Sequence, residues 1–202
     1  MTFNGKRLKK GRDYTLSYSS NKNAGTAKVY VKGKGNFKGK KTAQFTIKTV
    51  SIDKATVKPI NNKVFSSGPV RPNPKITFNG KRLKLGIDYE LSYDNNNRVG
   101  TAKVTIKAKG NFKGARRALF NIVPRSLESS KTQVGAMRPK QFTGNPIEAK
   151  PIIRVNGHKL TRDVDYTLSY ANNIAIGTAT VYVTGKGNYT GTVSREFQIV
   201  QG

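Results

Sequence analysis

Residues 77–122 read TFNGKRLKLGIDYELSYDNNNRVGTAKVTIKAKGNFKGARRALFNI, and residues 2–47 carry the same stretch at an offset of 75. The two stretches are identical at 30 of 46 positions without a gap. Residues 154–199 match again, with 23 of 46 positions equal to those of residues 2–47. A fixed period of this length is the signature of a repeat protein, so one structural unit used three times decides the fold.

The segments between the matching stretches, residues 48–76 and 123–153, also resemble each other loosely. Each has two prolines shortly before the next matching stretch (Pro72 and Pro74; Pro146 and Pro151). The complete unit therefore spans about 75 residues and begins with such a leading segment. We expect the chain to be a piece of a longer repeat array; a natural N-terminal half-unit is the alternative.

Three domains follow from this division. Copy 1 covers residues 1–49 and is truncated at its N-terminal side. Copy 2 covers residues 50–124, and copy 3 covers residues 125–202.

Alternation of side chains predicts β-strands in each copy. In copy 1, residues 14–18, 27–31 and 43–47 alternate large and small polar side chains, the period of a half-buried strand. Asn4-Gly5 predicts a hairpin, because a type I′ turn needs two positive φ angles, and the pair recurs in both other copies. No window of 11 or more residues has the helical period. We predict an all-β chain of antiparallel sandwiches, with about six or seven strands per complete unit.

The repeat resembles a known kind of surface module. Copy 3 contains Asp165-Tyr166-Thr-Leu-Ser-Tyr170, then Gly177-Thr-Ala-Thr-Val181 and Gly185-Lys-Gly-Asn-Tyr189-Thr-Gly191. This string is similar to the Ig-like tandem repeats of large bacterial cell-surface proteins, often of Gram-positive type. The resemblance implies tandem Ig-like sandwiches arranged as an elongated rod. It also implies an extracellular place on the cell surface or in the cell wall, and no particular ligand, because such repeats serve as stalks, adhesins and spacers.

Composition excludes several classes of protein. The chain has no Cys, which excludes disulfide scaffolds and thiolate zinc sites. Its one histidine, His158, excludes a multi-histidine metal site and follows the turn of copy 3, where we expect a surface residue. No apolar run is long enough for a transmembrane helix, and residues 1–10 have no apolar core of a signal peptide. We expect no cofactor, no metal and no membrane insertion.

Acid and base residues do not form a repeated catalytic set. Asp13, Asp88 and Asp165 each precede a tyrosine, and carboxylates there are candidates for calcium ligands or catalysts. No second carboxylate stands at a fixed spacing in all copies, so we expect these three to bond backbone N–H groups of their own turns. We therefore predict that the chain is not an enzyme.

The net charge of +28 is distributed unevenly between the copies. It amounts to +11 in residues 2–47, +7 in residues 77–122 and only +2 in residues 154–199. Lys28 and Lys32 of copy 1 correspond to threonines in copy 3, so the fold does not need them. We predict a cationic strip on one outward strand face and its turn, formed by Lys28, Tyr30, Lys32, Lys34, Lys38, Lys40 and Lys41 in copy 1 and by Lys103, Lys107, Lys109, Lys113, Arg116 and Arg117 in copy 2.

The strip favours a partner that is an anionic polymer: an acidic or sulfated glycan, a cell-wall polymer such as teichoic acid, or nucleic acid. A solvated surface without a ligand is the alternative interpretation of the charge. Phe37 and Phe112 in the adjoining turns either stack on sugars or bases or close the open end of the sandwich; we favour closure. As a whole, the sequence predicts a non-catalytic, secreted tandem-repeat binding module. The alternatives are a module that binds a host protein such as immunoglobulin, and a ligand-free stalk.

Overall fold

The computed structural model describes residues 1–202, and the chain consists of β-strands, turns and one 3-10 turn at Ile52–Lys54, with no α-helix. No helix that could span a membrane is present. The strands of copy 1 are β1 (Thr2–Phe3), β2 (Lys6–Arg7), β3 (Tyr14–Ser19), β4 (Gly25–Gly33) and β5 (Lys40–Ile47). Those of copy 2 are β6 (Val50–Ser51), β7 (Thr56–Val57), β8 (Lys63–Val64), β9 (Ile76–Phe78), β10 (Lys81–Arg82), β11 (Tyr89–Asp94), β12 (Gly100–Ala108), β13 (Phe112–Lys113) and β14 (Ala115–Val123). Those of copy 3 are β15 (Arg125–Ser126), β16 (Thr132–Val134), β17 (Lys140–Gln141), β18 (Ile153–Val155), β19 (His158–Lys159), β20 (Tyr166–Ala171), β21 (Gly177–Gly185), β22 (Tyr189–Thr190) and β23 (Thr192–Val200).

The predicted Asn-Gly hairpin is confirmed in all three copies. In copy 1 it joins β1 to β2, with φ of 45° at Asn4 and 73° at Gly5. Asn79 and Asn156 have φ of 47° and 50°, and each is followed by a glycine with positive φ. Two consecutive residues in the left-handed region are what a type I′ turn requires, and asparagine and glycine adopt that region at least cost.

Copies 2 and 3 have the same sheet topology. In copy 2 a four-stranded sheet has the order β11-β12-β14-β8, and a three-stranded sheet has the order β10-β9-β7. In copy 3 the corresponding orders are β20-β21-β23-β17 and β19-β18-β16. Copy 1 has the hairpin β1-β2 and the three-stranded sheet β3-β4-β5. The all-β, sandwich-like character is thus confirmed.

The leading segments depart from the predicted antiparallel arrangement. β8 and β17 pair in parallel with β14 and β23, the last long strands of their copies. β6 and β15 also pair in parallel, with the turn strands β13 and β22. Each complete copy has nine strands instead of six or seven, because several are only two residues long. Strands this short carry no alternation in the sequence, and partners about 60 residues away leave no local signal of direction.

The chain divides into two compact units. Unit 1 comprises Met1–Lys58, Asn73–Ser92 and Thr105–Ala118. Unit 2 comprises Pro59–Pro72, Tyr93–Val104 and Leu119–Gly202. Copy 2 contributes residues to both units, so the predicted boundaries at 49/50 and 124/125 stay a prediction.

Each unit has its own hydrophobic cluster. In unit 1 the buried members are Ile52, Ala55, Ile76, Leu83, Tyr89 and Ile106, with Val57, Phe78, Leu91, Ala108 and Phe112 packed against them. In unit 2 they are Ala149, Ala179, Val181, Phe197 and Ile199, with Met137, Ile147, Leu168 and Tyr170 around them. Each cluster combines strand residues with residues of a leading segment. The leading segments are therefore parts of the core and not only joints.

An asparagine in the Gly-Asn-Phe/Tyr turn bonds to the loop of the preceding copy. In unit 1 the Asn111 Oδ1 accepts a hydrogen bond from the Ala24 N–H at 2.7 Å. In unit 2 the Asn188 Oδ1 accepts one from the Val99 N–H at 2.8 Å. Ala24 and Val99 hold equivalent positions, directly before a glycine with positive φ. The same bond therefore joins copy 1 to copy 2 and copy 2 to copy 3.

We expect Asn188→Ala to lower the free energy of unfolding by about 1–3 kcal/mol, because it leaves the part-buried Val99 N–H without its partner. Asn36 is the equivalent residue of copy 1 and is exposed, so Asn36→Ala should change stability by less than about 0.5 kcal/mol. Urea unfolding followed by circular dichroism measures both variants. Equal losses at the two positions would contradict a role of this side chain in joining copies.

Candidate anion-binding face

One face of copy 1 brings together four of the predicted anion-binding residues. Along β4 the side chains of Lys28, Tyr30 and Lys32 are exposed, whereas Val29 and Val31 are half-buried on the opposite face. This alternation follows from the two-residue period of a strand. At about 3.3 Å per residue, Lys28 and Lys32 lie about 13 Å apart along the strand.

The neighbouring strand adds a fourth member. Lys40 of β5 lies directly opposite Lys32 in the antiparallel register, and Thr42 and Gln44 lie opposite Tyr30 and Lys28. Residues directly opposite each other have Cα atoms about 4.5–5.5 Å apart. We call Lys28, Tyr30, Lys32 and Lys40 the lysine face.

No carboxylate neutralises the lysine face. The ion pairs of the structure include none of its three lysines. On the other side of β4 the opposing residues of β3 are Thr15 and Ser19, which are uncharged. The positive charge of this face is therefore uncompensated at close range, and it is free to attract an anion.

The lysines of copy 2 are in a different electrostatic situation. Lys103 pairs with Asp94, with 2.9 Å between the Nζ and a carboxylate oxygen. Lys107 and Lys109 both approach the Glu90 carboxylate, at 3.5 and 3.8 Å. Asp94 and Glu90 hold the positions that Ser19 and Thr15 hold in copy 1. Two acidic residues that copy 1 lacks thus form ion pairs with Lys103 and Lys107, the counterparts of Lys28 and Lys32.

Sequence reasoning missed these acidic partners. The offset of 75 and an antiparallel β3–β4 hairpin would have placed Asp94 beside Lys103 and Glu90 beside Lys107, since Ser19 faces Lys28 and Thr15 faces Lys32. The positions of the acidic partners could be read from the sequence, but only with the register of the hairpin and not from the composition.

Two of the predicted residues, Lys34 and Lys41, have other surroundings. The Lys34 Nζ donates to the Gly11 carbonyl at 2.8 Å, and the Lys186 Nζ of copy 3 donates to the Asp163 carbonyl at the same distance. The bond therefore recurs in copy 3, and it ties Lys34 to its own copy. Lys41 lies opposite Val31, on the sheet face that points away from the lysine face.

Arg116, the counterpart of Lys41, lies against the leading segment of copy 2. Its Nη1 donates to the carbonyls of Asp53 and Ala55. It therefore binds its own repeat and is not directed at a ligand. The remaining predicted residues, Lys38, Lys113 and Arg117, are exposed, the first two in or beside the turns that follow the long strands.

The aromatic residues of the turns pack on their own copies. Phe112 packs against the cluster of unit 1, with its ring centroid 5.4 Å from that of Phe78 in an edge-to-face arrangement. Phe37 makes the same contact with Phe3 at 5.5 Å. Tyr189 is buried and contacts Phe65. The interpretation of these rings as closures of the sandwich is supported, and Tyr30 is the one aromatic residue of the lysine face.

The three repeated aspartates bond backbone N–H groups of their turns. An Oδ2 of Asp13, Asp88 or Asp165 accepts from the N–H four residues earlier, at 2.8 Å in each copy. The Arg12 guanidinium, bonded to Asp13 at 2.8 Å, holds the pKa of that carboxyl below its ordinary value, and the Lys9 N–H adds to the effect. The contribution of Asp13 to stability is therefore present at neutral pH and is lost as the pH falls through its lowered pKa.

The acidic residues and the histidine do not form a cluster of metal ligands. There is no group of three or more His, Asp or Glu side chains that could hold a metal ion. His158 lies exposed in β19, as expected for a surface residue. No protein-family model matches the chain, and no curated protein matches it, so function is inferred from the residues of the lysine face.

Proposed function

We propose that the chain is a non-catalytic tandem-repeat binding module that holds an anionic polymer on the lysine face of copy 1. The uncompensated charge carries this proposal, because Lys28, Lys32 and Lys40 share one surface without an acidic partner. The partner is an acidic or sulfated glycan, a cell-wall polymer or nucleic acid. Such a module belongs outside the cell, on the surface or in the wall, as one part of a longer adhesin-like protein.

The juxtaposition of Lys32 and Lys40 supports a binding role. Like charges directly opposite each other across two strands destabilise a sheet. Copy 3 has Thr184 and Thr192 at these positions, and their hydroxyl groups are hydrogen-bonded at 3.0 Å. The same fold therefore forms in copy 3 without this repulsion, whereas copy 1 has two lysines at these positions. An anion bound between the two ammonium groups would offset that cost.

Tyr30 adds a second mode of contact to the same face. Its side chain is 38% exposed and stands between Lys28 and Lys32 on the strand. Its hydroxyl lies 3.2 Å from that of Ser19, which restricts the orientation of the ring. An aromatic side chain between two cations can stack on a sugar or a base while the ammonium groups bind charged substituents.

The test exchanges the lysine face for the residues of copy 3. The variant Lys28→Thr/Lys32→Thr/Lys40→Thr introduces the threonines found at 180, 184 and 192, so the fold should tolerate it. On an immobilised sulfated polysaccharide we expect the parent chain to be retained at 0.15 M NaCl and the variant to bind at least about tenfold more weakly. For single-stranded nucleic acid, the slope of log K against log salt should weaken by about 2, the value for three lost contacts.

The matched control removes the same number of charges from copy 2. Lys103→Thr/Lys107→Thr/Lys109→Thr leaves the net charge equal to that of the first variant, but these lysines already pair with Asp94 and Glu90. We expect it to lose less than about threefold in affinity. Equal losses in the two variants would mean that only the net charge matters, and no retention of the parent chain at 0.15 M NaCl would refute the proposal.

A further inference from the structure

The three-stranded sheet of copy 2 has one face in the core and one face in solvent. Val57, Ile76 and Leu83 belong to the hydrophobic cluster of unit 1. Their neighbours along each strand point the other way, because side chains alternate with a period of two. This second face carries two threonines and four exposed basic residues, all of them in unit 1: Thr56, Thr77, Lys58, Lys75, Arg82 and Lys84.

Three of these lysines lie side by side across the strands. The register of β7 and β9, continued by one residue, places Lys58 opposite Lys75, and the Lys58 N–H donates to the Lys75 carbonyl at 2.9 Å. The register of β10 and β9 continues through Leu83, whose N–H donates to the Ile76 carbonyl at 2.9 Å, and places Lys84 opposite Lys75. Neighbouring strands are about 4.8 Å apart, so the three positions span about 10 Å. We call Lys58, Lys75 and Lys84 the lysine row.

The lysine row makes no ion pair in the structure. The ion pairs include neither its three lysines nor Arg82, which lies beside the row, opposite Thr77. One carboxylate adjoins the row, because the Asp88 Oδ2 accepts a hydrogen bond from the Lys84 backbone N–H at 2.8 Å. Four positive charges against this one negative charge leave the face cationic. Like charges on directly opposite residues destabilise a sheet, and a bound anion would offset that cost.

Copy 3 builds the same sheet without the lysine row. At an offset of 77 the three positions are occupied by Gly135, Ile152 and Thr161, none of which is charged. The Gly135 N–H donates to the Ile152 carbonyl at 2.9 Å, the bond that joins Lys58 to Lys75 in copy 2. Ile152 is 53% exposed, so this position faces solvent in copy 3 as well. The fold of the repeat therefore does not need lysines here.

The chemistry of the row suits phosphate groups that are linked to one another. A terminal phosphate carries about 1.5–2 negative charges near neutral pH, and it has three strong acceptor oxygens. Linked phosphates therefore concentrate negative charge over a short distance, as the row concentrates positive charge. Lysine binds phosphate as a point charge, and the hydroxyl of Thr77, beside the row, is a further donor. None of the six side chains of this face is aromatic, so it offers no ring on which a sugar or a base could stack.

We propose that the lysine row is a second anion site, which binds a short chain of linked phosphate groups lying across the three strands. The lysine face of copy 1 has a different geometry, because Lys28 and Lys32 are about 13 Å apart along one strand and flank Tyr30. The row therefore selects closely spaced charges and the lysine face widely spaced ones. The second site shares no residue with the lysine face and does not depend on the proposed function.

The test is a titration of the isotope-labelled full chain with sodium tripolyphosphate at 0.05 M NaCl, followed by NMR. We expect saturable shifts at the backbone amides of Lys58, Lys75 and Thr77. The variant Lys58→Thr/Lys75→Thr/Lys84→Thr should bind at this sheet at least about tenfold more weakly, because all three charge-assisted contacts are lost. Threonine suits a strand, so the variant should keep the amide spectrum of the rest of the chain. Binding should weaken steeply at 0.5 M NaCl.

Two matched variants and two further anions make the test specific. Lys103→Thr/Lys107→Thr/Lys109→Thr removes the same charge from copy 2 and should retain tripolyphosphate affinity at the row within about threefold, since those lysines have acidic partners. Lys28→Thr/Lys32→Thr/Lys40→Thr should leave the shifts at the row in place, which separates this site from the proposed function. Orthophosphate and a fully sulfated disaccharide should each bind the row more weakly than tripolyphosphate.

Three results would overturn the proposal. The first is the absence of saturable shifts at the amides of the row. The second is an equal loss of affinity in the row variant and in the Lys103→Thr/Lys107→Thr/Lys109→Thr variant, which would reduce the effect to net charge. The third is tighter binding of the sulfated disaccharide than of tripolyphosphate, which would assign the row to a sulfated saccharide.

Discussion

Phe120→Ala is expected to lower the free energy of unfolding by about 3–5 kcal/mol, whereas Phe45→Ala should cost only about 1 kcal/mol. The two phenylalanines hold the same position in β14 and β5, and they differ in exposure, 3% against 40%. Removal of a buried ring loses its transfer free energy and leaves a cavity, whereas a ring that is already in contact with water loses less. Phe197→Ala in copy 3 should behave as Phe120→Ala does, because Phe197 is also 3% exposed.

Urea unfolding followed by tyrosine fluorescence and circular dichroism gives the three free energies, and native-state hydrogen exchange assigns each loss to its copy. The comparison is internal, because the substitution and its position in the repeat are the same each time. A loss at Phe45 as large as that at Phe120 would show that copy 1 buries this face in solution.

Local features of the fold could be predicted from the sequence because their causes are local. Asn4-Gly5 forms its turn because both residues adopt positive φ angles, and this does not depend on distant residues. The alternation of Lys28, Val29, Tyr30 and Val31 likewise decides which side chains point outward. The Asn-Gly turn and the alternation along the long strand recur in every copy, although the exposure of single side chains differs.

The leading segments could not be predicted in the same way. Ile52 and Leu127 are fully buried, yet each lies in a short stretch without alternation. Their burial depends on strands that come about 25–70 residues later, and their parallel pairing depends on the same distant partners. The Ig-like assignment and the elongated rod stay predictions, because the strand pairing within one copy establishes neither of them.

The placement of basic residues on one strand face was predicted in part, whereas binding of an anion there stays a prediction. Lys28, Tyr30, Lys32 and Lys40 were expected together and lie together. The copy 2 residues were expected to be equivalent, and in the structure three of them form ion pairs with Asp94 and Glu90. Arg116 faces the backbone of its own leading segment. A count of basic residues cannot distinguish these cases, because the distinction depends on which side chain stands across the strand.

Ile52→Ala is expected to lower the free energy of unfolding by about 2–5 kcal/mol. Ile52 has no exposed surface and belongs to the cluster of Ile76, Tyr89 and Ile106. The substitution would open in copy 2 a space like the cavity that copy 1 already has. Native-state hydrogen exchange of the β12 amides measures the loss. Val64→Ala, at a 50% exposed position of the same leading segment, is the control and should cost less than about 0.5 kcal/mol.

The comparison of these two variants decides what a leading segment contributes. If Ile52→Ala costs as little as Val64→Ala, the segment is only a connector between copies. If the expected difference is found, one isoleucine supplies much of the energy by which a leading segment holds to its repeat.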